Sequence, residues 1–397
     1  MSRICVLFDR LGPYHWARLN AAGALFPTVG LELSGETSDY AWEKVTGQGA
    51  FEPRTLFPRQ KSGALPASEV ARQVHKALDE EQPAAVAIHG WSEKGALAAL
   101  SWCLRAGRPA IMMSESKRSD AERHWPAEMI KRFLIGICAS GLGGGVHQVD
   151  YLAALGMPRE RIFTGYGVVD NTYFAQKADA ARRDAAAVRA RLNLPERFFV
   201  ACNRFVEKKN LPRLMEAYGS YRKAAGPSAW KLVLLGDGPL KPLVLKLRED
   251  LDLIDDLLLP GFQQYDELPA FYGLASAFVH ASTTEQWGLV VNEAMAAGLP
   301  VLVSRPCGCV PDLVVHGRNG FTFDPFDVKA LARLFREVAG GQYDLAAMGQ
   351  YSREMIAPWS PAKFARSLQL AAEAALACPR PRGGMVNQGV LQLLLRR

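Results

Sequence analysis

Twice along this chain short apolar runs alternate with amphipathic ones, and the alternation breaks once between the two series. The apolar runs fall at 3–9, 84–90, 109–114, 136–140 and 161–169, then at 198–203, 230–235, 257–260, 277–281, 300–304 and 321–323. They read as strands buried on both faces. Helical patterns lie between them, at 14–25, 67–78, 94–106, 120–134 and 146–155, then at 211–223, 240–251, 267–274, 289–297, 328–338 and 344–356. Such alternation predicts an α/β fold in which helices cover both faces of parallel sheets.

The 397 residues are too many for one hydrophobic core, so two domains are expected. The break falls at 171–196, rich in Ala, Arg and Asp, which reads as an interdomain connection carrying one exposed helix. It separates a Rossmann-like domain at 1–170 from a second at 197–358. Ser360 as N-cap and Pro361 at the first position open a last helix at 359–377, expected to pack back on the N-terminal domain. The tail 378–397 carries Pro379, Pro381, Gly383 and Gly384 and reads as flexible. Two open α/β domains in series predict a cleft where the carboxyl ends of both sheets face one ligand.

Composition narrows the class. No apolar run approaches the ~20 residues of a membrane span. The opening run is cut by Asp9 and Arg10 and reads as a strand, not a signal peptide. Seven cysteines, an odd number placed mostly in strands and helices, fit reduced thiols and a cytoplasmic setting. Cys307 and Cys309 form the one close pair, and without further ligands at a usual spacing they read as a turn with buried thiols rather than a metal site. The net charge of +7 is spread along the chain without a nucleic-acid-binding motif. It suits an anionic substrate or a negatively charged membrane surface. Leu391, Leu393, Leu394 and Leu395 beside Arg396 and Arg397 are the expected place of peripheral contact with the inner face of a membrane.

The chemistry gathers in the second series. Residues 282–301 read as loop, helix, turn and strand, with Gly288 at the loop end and Gly298-Leu299-Pro300 stopping the helix. Glu285 and Glu293 lie eight residues apart across that junction. Between them the helix N-terminus at Leu289 offers free N–H groups and the positive end of the dipole. This predicts a diphosphate site flanked by carboxylates able to grip sugar hydroxyls. Asn203-Arg204-Phe205-Val206-Glu207-Lys208-Lys209-Asn210 follows the first strand of the same domain, placing Arg204 and Lys209 at its carboxyl end. Arg supplies a planar fork and Lys a point charge, both suited to a diphosphate.

Taken together these segments resemble the GT-B glycosyltransferases, specifically the large retaining family 4 (glycosyl transferases group 1). The resemblance spans the second domain and adds Leu234-Leu235-Gly236-Asp237-Gly238-Pro239, Leu259-Pro260-Gly261-Phe262, and Gly308-Cys309-Val310-Pro311-Asp312-Leu313-Val314 followed by Gly317-Arg318-Asn319-Gly320-Phe321. It implies a fold of two Rossmann-like domains facing across a cleft and a reaction that moves a sugar from a nucleotide-sugar to an acceptor hydroxyl with retention. Arg204 and Lys209 would stabilise the departing diphosphate, and Glu285 would hold the transferred sugar beside the N–H groups of Gly288 and Leu289. Glu293 would bind the ribose, and the turn at Phe262 would read the base. In the first domain Gly12 would approach the diphosphate, with His15 as a further substrate contact. Many members place a His after the strand at 110–113, where this chain has Ser114-Glu115-Ser116-Lys117; Glu115 is taken as the substitute.

Neither a metal nor a resident cofactor is expected; the nucleotide-sugar is a co-substrate. The acceptor would be a polysaccharide or lipid-linked glycan precursor or a small natural product, and no nucleic acid is expected as partner. The readings set against this are a nucleotide-sugar epimerase of the same fold and a non-catalytic nucleotide-sugar-binding subunit. Gly141-Leu142-Gly143-Gly144-Gly145 lacks the Lys-Ser/Thr of a P-loop and is expected to be a close-approach turn.

Overall fold

The apolar runs form two all-parallel sheets, each in its own unit. The computed structural model describes residues 2–35, 42–43, 45, 47–378 and 385–395. The first unit comprises Met1–Val169 with Ser360–Arg397, the second Asp170–Trp359. Among the described residues no helix is long and apolar enough to cross a membrane.

In the first unit the strands are β1 (Ile4–Phe8), β2 (Thr28–Ser34), β3 (Glu52–Phe57), β4 (Ala85–His89), β5 (Ala110–Ser114), β6 (Ser140–Gly143) and β7 (Ile162–Thr164). Their order is β3-β2-β1-β4-β5-β6-β7. β1 lies inside the sheet, with Val6 opposite Gly30 on one side and Ala87 on the other. Two strands were not expected. β3 carries Glu52, Pro53 and Arg54 and lies at the sheet edge, where Pro is tolerated because one side of the strand needs no partner. β2 has a polar Glu32 and Ser34 inside an otherwise apolar run, and both are buried.

The glycine run at 141–145 is not a turn. Gly141 and Gly143 belong to β6 itself. A Cβ on Gly143 would stand 3.0 Å from Cβ of Gln148, so the glycine lets the helix Val146–Ala154 lie close on the strand. The helix Pro361–Ala377 buries Phe364, Ala365, Leu368, Ala371, Ala372 and Ala375 in this unit, and Ser140 donates to its Ala371 carbonyl at 2.7 Å. The tail expected to be flexible holds a further helix, Met385–Leu395. Its Leu391 and Leu395 are buried against the helix Lys94–Ala106. That four-residue spacing puts both leucines on one face, so these two of the leucines expected at a membrane are in the core, while Leu393 is exposed.

The second unit has β8 (Phe198–Cys202), β9 (Lys231–Leu235), β10 (Leu257–Gly261), β11 (Ala277–His280), β12 (Val301–Ser304) and β13 (Gly320–Phe323), in the order β10-β9-β8-β11-β12-β13. The helices Leu211–Ala225 and Val328–Ala339 cover one face, where Phe199 meets Phe335 at 4.6 Å and Trp230 at 5.2 Å between ring centroids. The segment 171–196 holds two helices, Asn171–Arg183 and Ala185–Leu192, and not one. The first is packed rather than exposed: Phe174, Ala178 and Ala181 are buried, and Ala178 lies so close to Gly273 that a Cβ there would stand 2.6 Å from its carbonyl oxygen. Arg353, on the helix Leu345–Ile356, ties down the same helix with an ion pair to Asp179 at 2.6 Å. Sparse large apolar residues concealed this face, because it packs through alanine and glycine.

Candidate active site

Parallel strands deliver their following loops to one sheet edge, and β8 and β11 are neighbours in the second sheet. The loop after β8 carries Arg204, Lys208 and Lys209; the loop after β11 carries Ser282 to Gly288. Backbone and amide bonds tie the two loops together and hold them to the segment after β13. Thr283 N donates to the Lys208 carbonyl at 2.9 Å, and the Asn210 amide donates to the carbonyls of Ala281 at 3.1 Å and Pro325 at 2.8 Å.

This brings Lys209 and Glu285 into an ion pair through Oε2, with both side chains only 12% exposed. Buried His280, the last residue of β11, sets its Nε2 3.3 Å from the same Oε2, and Ser282 Oγ lies 3.1 Å from that nitrogen. Its Nδ1 is buried with no hydrogen-bond partner, so the proton is assigned to Nε2. The Lys208 ammonium stands 4.0 Å from Oε1 of Glu285. Burial pushes the Glu285 carboxyl up, but the His280 hydrogen bond and the two lysine charges outweigh it and hold the group well below the usual carboxylate range. Burial, aided by the lysines and opposed by Glu285, holds His280 below the ordinary imidazole value. The centre is thus a carboxylate anchored through one oxygen, with a neutral imidazole behind it and ammonium groups in front.

Gly288 ends the loop with φ +106° and ψ +62°, a left-handed conformation that favours glycine. From there the helix Leu289–Ala296 starts with no side chain capping it, so the first N–H groups stay available at its N-terminus. Glu293 sits inside this helix and is fully buried. Its Oε2 accepts from the Tyr272 hydroxyl at 2.8 Å. Burial first, then the charge of Glu293, pushes the Cys202 thiol at the end of β8 up to about 12. The two glutamates therefore occupy unlike settings: Glu285 meets the cations and Glu293 is closed under a phenol.

Arg204 is exposed on the β8 loop. That loop is clasped to the turn after β9, where Phe205 N donates to the Asp237 carbonyl at 2.8 Å. Gly236 sits at φ +129°, and a Cβ there would stand 1.8 Å from the Asn203 carbonyl oxygen, so only glycine permits the approach. The Asn203 side-chain amide is buried and neither of its polar atoms finds a partner, at a cost of ~1–3 kcal/mol for each unsatisfied group. Half-buried Phe262 follows β10 at the same edge.

The first-unit candidates have their own surroundings. Gly12 is the N-cap of the helix Pro13–Gly23, and its N–H donates to His15 Nδ1 at 3.2 Å. His15 packs on Phe8 with ring centroids 4.3 Å apart. Burial first, then the charges of Arg18 and His89, hold it well below the usual imidazole value, so it is neutral. Half-buried Glu115 follows β5, and its carbonyl accepts from Gln148 Nε2 at 3.1 Å. His89, at the end of β4, has Nδ1 2.6 Å from the Tyr166 hydroxyl and is held at about 4, chiefly by burial and then by Arg18.

Residues 183–355 match the family model described as Glycosyl transferases group 1. The second unit is similar to this family. The glycosyl transferases group 1 match covers nearly all of that unit and none of the first. A GDP-mannose-dependent alpha-(1-6)-phosphatidylinositol monomannoside mannosyltransferase of Mycobacterium tuberculosis is 30% identical over 233 residues, which is 55% of this chain and 59% of that protein. The chain thus spans less than two thirds of that relative's length. Sucrose-phosphate synthase from Thermosynechococcus elongatus superposes with a TM-score of 0.74 at 18% identity, over 93% of this chain and 98% of the other. Anabaena HepE in complex with UDP gives 0.67 at 16% identity, over 99% of each chain. At such identities the likeness establishes the fold, that of the GT-B glycosyltransferases with two parallel α/β units.

Proposed function

We propose that the protein is a retaining glycosyltransferase that moves a sugar from a nucleoside-diphosphate sugar to an acceptor hydroxyl. The observation that carries this reading is the Lys209–Glu285 pair backed by His280 beside the N-terminus of the helix Leu289–Ala296. Breaking a sugar–phosphate bond leaves negative charge on the departing diphosphate and positive character on the anomeric carbon. Lys209, Lys208, Arg204 and the N–H groups at Leu289 meet the first charge, in a place preorganised before the donor arrives. Glu285 keeps Oε1 for a sugar hydroxyl while His280 retains Oε2. Glu293 serves the ribose, which requires the Tyr272 phenol to give way.

Retention follows from front-face attack with the departing phosphate as base, so no protein nucleophile is assigned. The loop cations take the role of a divalent ion, making metal-independent turnover part of the proposal. The mannosyltransferase relative is named for GDP-mannose and a phosphatidylinositol acceptor, and HepE was solved with UDP. These support a nucleotide-sugar donor and leave its base open. A lipid-linked or polysaccharide precursor is the acceptor class favoured here, in a cytoplasmic setting suited to seven free thiols.

A thermal-shift series with UDP-, GDP-, ADP- and dTDP-sugars tests the reading. A ligand that binds only the native state raises the apparent Tm. One donor class is expected to stabilise the protein and to be consumed only when acceptor is added. No shift with any donor overturns the proposal, and conversion of donor without acceptor would replace it with an epimerase.

A further inference from the structure

In the first unit, the helix Trp125–Ile137 buries Leu134, Ile135 and Ile137 but leaves large apolar groups in water at its other end. Trp125 is 75% exposed and Met129 48%. With exposed Arg132 they stand at i, i+4 and i+7, one stripe of a helix. The stripe borders a groove of about 410 Å³, whose lining includes Arg118, Arg123 and Tyr151.

The charges of the groove are not used up internally. Arg123 forms its floor: the guanidinium carbon lies 4.5 Å from the Tyr151 ring centre, and the side chain donates to the Tyr151 hydroxyl at 2.9 Å and the Arg118 carbonyl at 2.7 Å. The acid in the groove, Glu128, is held by Lys131 at 2.8 Å and by the Tyr151 hydroxyl at 2.8 Å. Among the described residues, Arg118 and Arg132 make no side-chain hydrogen bond or ion pair. Two free guanidiniums therefore flank an exposed indole and a thioether.

We infer that this groove is a docking surface for a bilayer of anionic phospholipid. Guanidinium binds phosphate with a planar fork. An indole is stable at the headgroup level, where its ring meets acyl chains and its N–H meets water. A purely electrostatic partner would leave Trp125 and Met129 exposed, and a purely apolar one would leave Arg118 and Arg132 without counter-charges. A phosphate layer over hydrocarbon satisfies both. The helix Val146–Ala154 connects the groove to Glu115, since it carries Tyr151 and also Gln148, which bonds the Glu115 carbonyl. A docked membrane would thus lie beside the carboxyl edge of the first sheet.

Co-sedimentation of the full chain with phosphatidylcholine vesicles, with and without phosphatidylglycerol, tests this. The protein is expected to pellet with the anionic vesicles and to be released by salt. Arg118→Ser and Arg132→Ser should each weaken binding about fivefold, the scale of one cation at an anionic surface. Trp125→Ser should weaken binding in a manner that salt does not reproduce. All three side chains are on the surface, and the donor-induced Tm shift of each variant is expected to equal that of the parent, which separates this surface from the transferase reading. Equal binding to neutral vesicles, or anionic binding unchanged in all three variants, overturns the inference. So does capture by soluble polyglutamate without any binding to vesicles, the result expected of an acidic-protein site.

Discussion

Lys209 holds Glu285 in an ion pair, and a diphosphate entering the site would compete for the same ammonium group. Lys209→Ala is expected to cost ~10²–10³-fold in kcat, the scale of one preorganised charge donor. Glu285→Gln keeps the shape and should lose turnover with little change in folding. Rates close to the parent in both variants would remove the site assignment. His280 has a different role, since it is a neutral ring that hydrogen-bonds Glu285 from the end of β11. His280→Leu is expected to lower kcat more than it raises KM, and His280→Gln, whose amide reaches as far as Nε2, should recover much of the loss. Equal losses in both would mean that the site needs the ring only for packing. Arg204, Lys209 and Glu285 were legible in the chain because charged residues after buried strands go to one edge of a parallel sheet. His280 was not, because it closes an apolar run and its bond to Glu285 depends on how the loop folds back. The burial of Glu293 was also hidden: its place in the helix was legible, but the Tyr272 phenol over it comes from a distant helix.

Among the elements, the loop-to-helix junction at Gly288 concentrates the strain. Its φ of +106° suits glycine, and a Cβ would meet Glu285 Cγ at 3.5 Å, so contact is ordinary and the backbone is the obstacle. Gly288→Ala is expected to cost ~1–3 kcal/mol, measurable by urea unfolding. A stability unchanged within error would show that the junction relaxes freely. Apolar runs such as 198–203 and 300–304 were readable as strands because both faces are buried. β3 escaped notice since an edge strand tolerates Glu, Pro and Arg, and β6, expected at 136–140, lies instead at Ser140–Gly143, where its glycines resemble a loop. The helices Asn171–Arg183 and Met385–Leu395 pack through small or widely spaced apolar residues, which composition alone cannot separate from an exposed linker.

On the scale of the molecule, histidines held below their ordinary value set the response to acid. His15, His89 and His280 are all held below the ordinary value, His89 at about 4. Each is neutral in the native state, while its unfolded counterpart binds a proton below ~6.5. Stability should therefore fall as pH drops from ~6.5 toward the lower native values. Glu285 is also held low, but as an acid it is charged in the native state, so its contribution persists above ~4.3 and fades only below that. A series of Tm values from neutral to acid is expected to decline, and less steeply in His89→Gln; a flat profile would contradict the neutral state of these rings. The two units also divide the chain unevenly. Deleting everything after Trp359 removes Phe364, Leu368 and Ala371 from the first core but nothing from the second unit. The truncated protein is expected to keep one cooperative calorimetric transition and to lose the other. Two intact transitions would show that the helix Pro361–Ala377 is dispensable.

That helix also has a consequence for biogenesis. The first unit begins at the amino end yet needs residues after Trp359 to complete its core, while the second unit is one unbroken segment. Chains leave the ribosome from the amino end. The unit translated first is therefore the unit finished last, and its sheet must wait with an uncovered apolar face while the second unit folds. A nascent chain stalled short of Ser360 would leave that face open to chaperones.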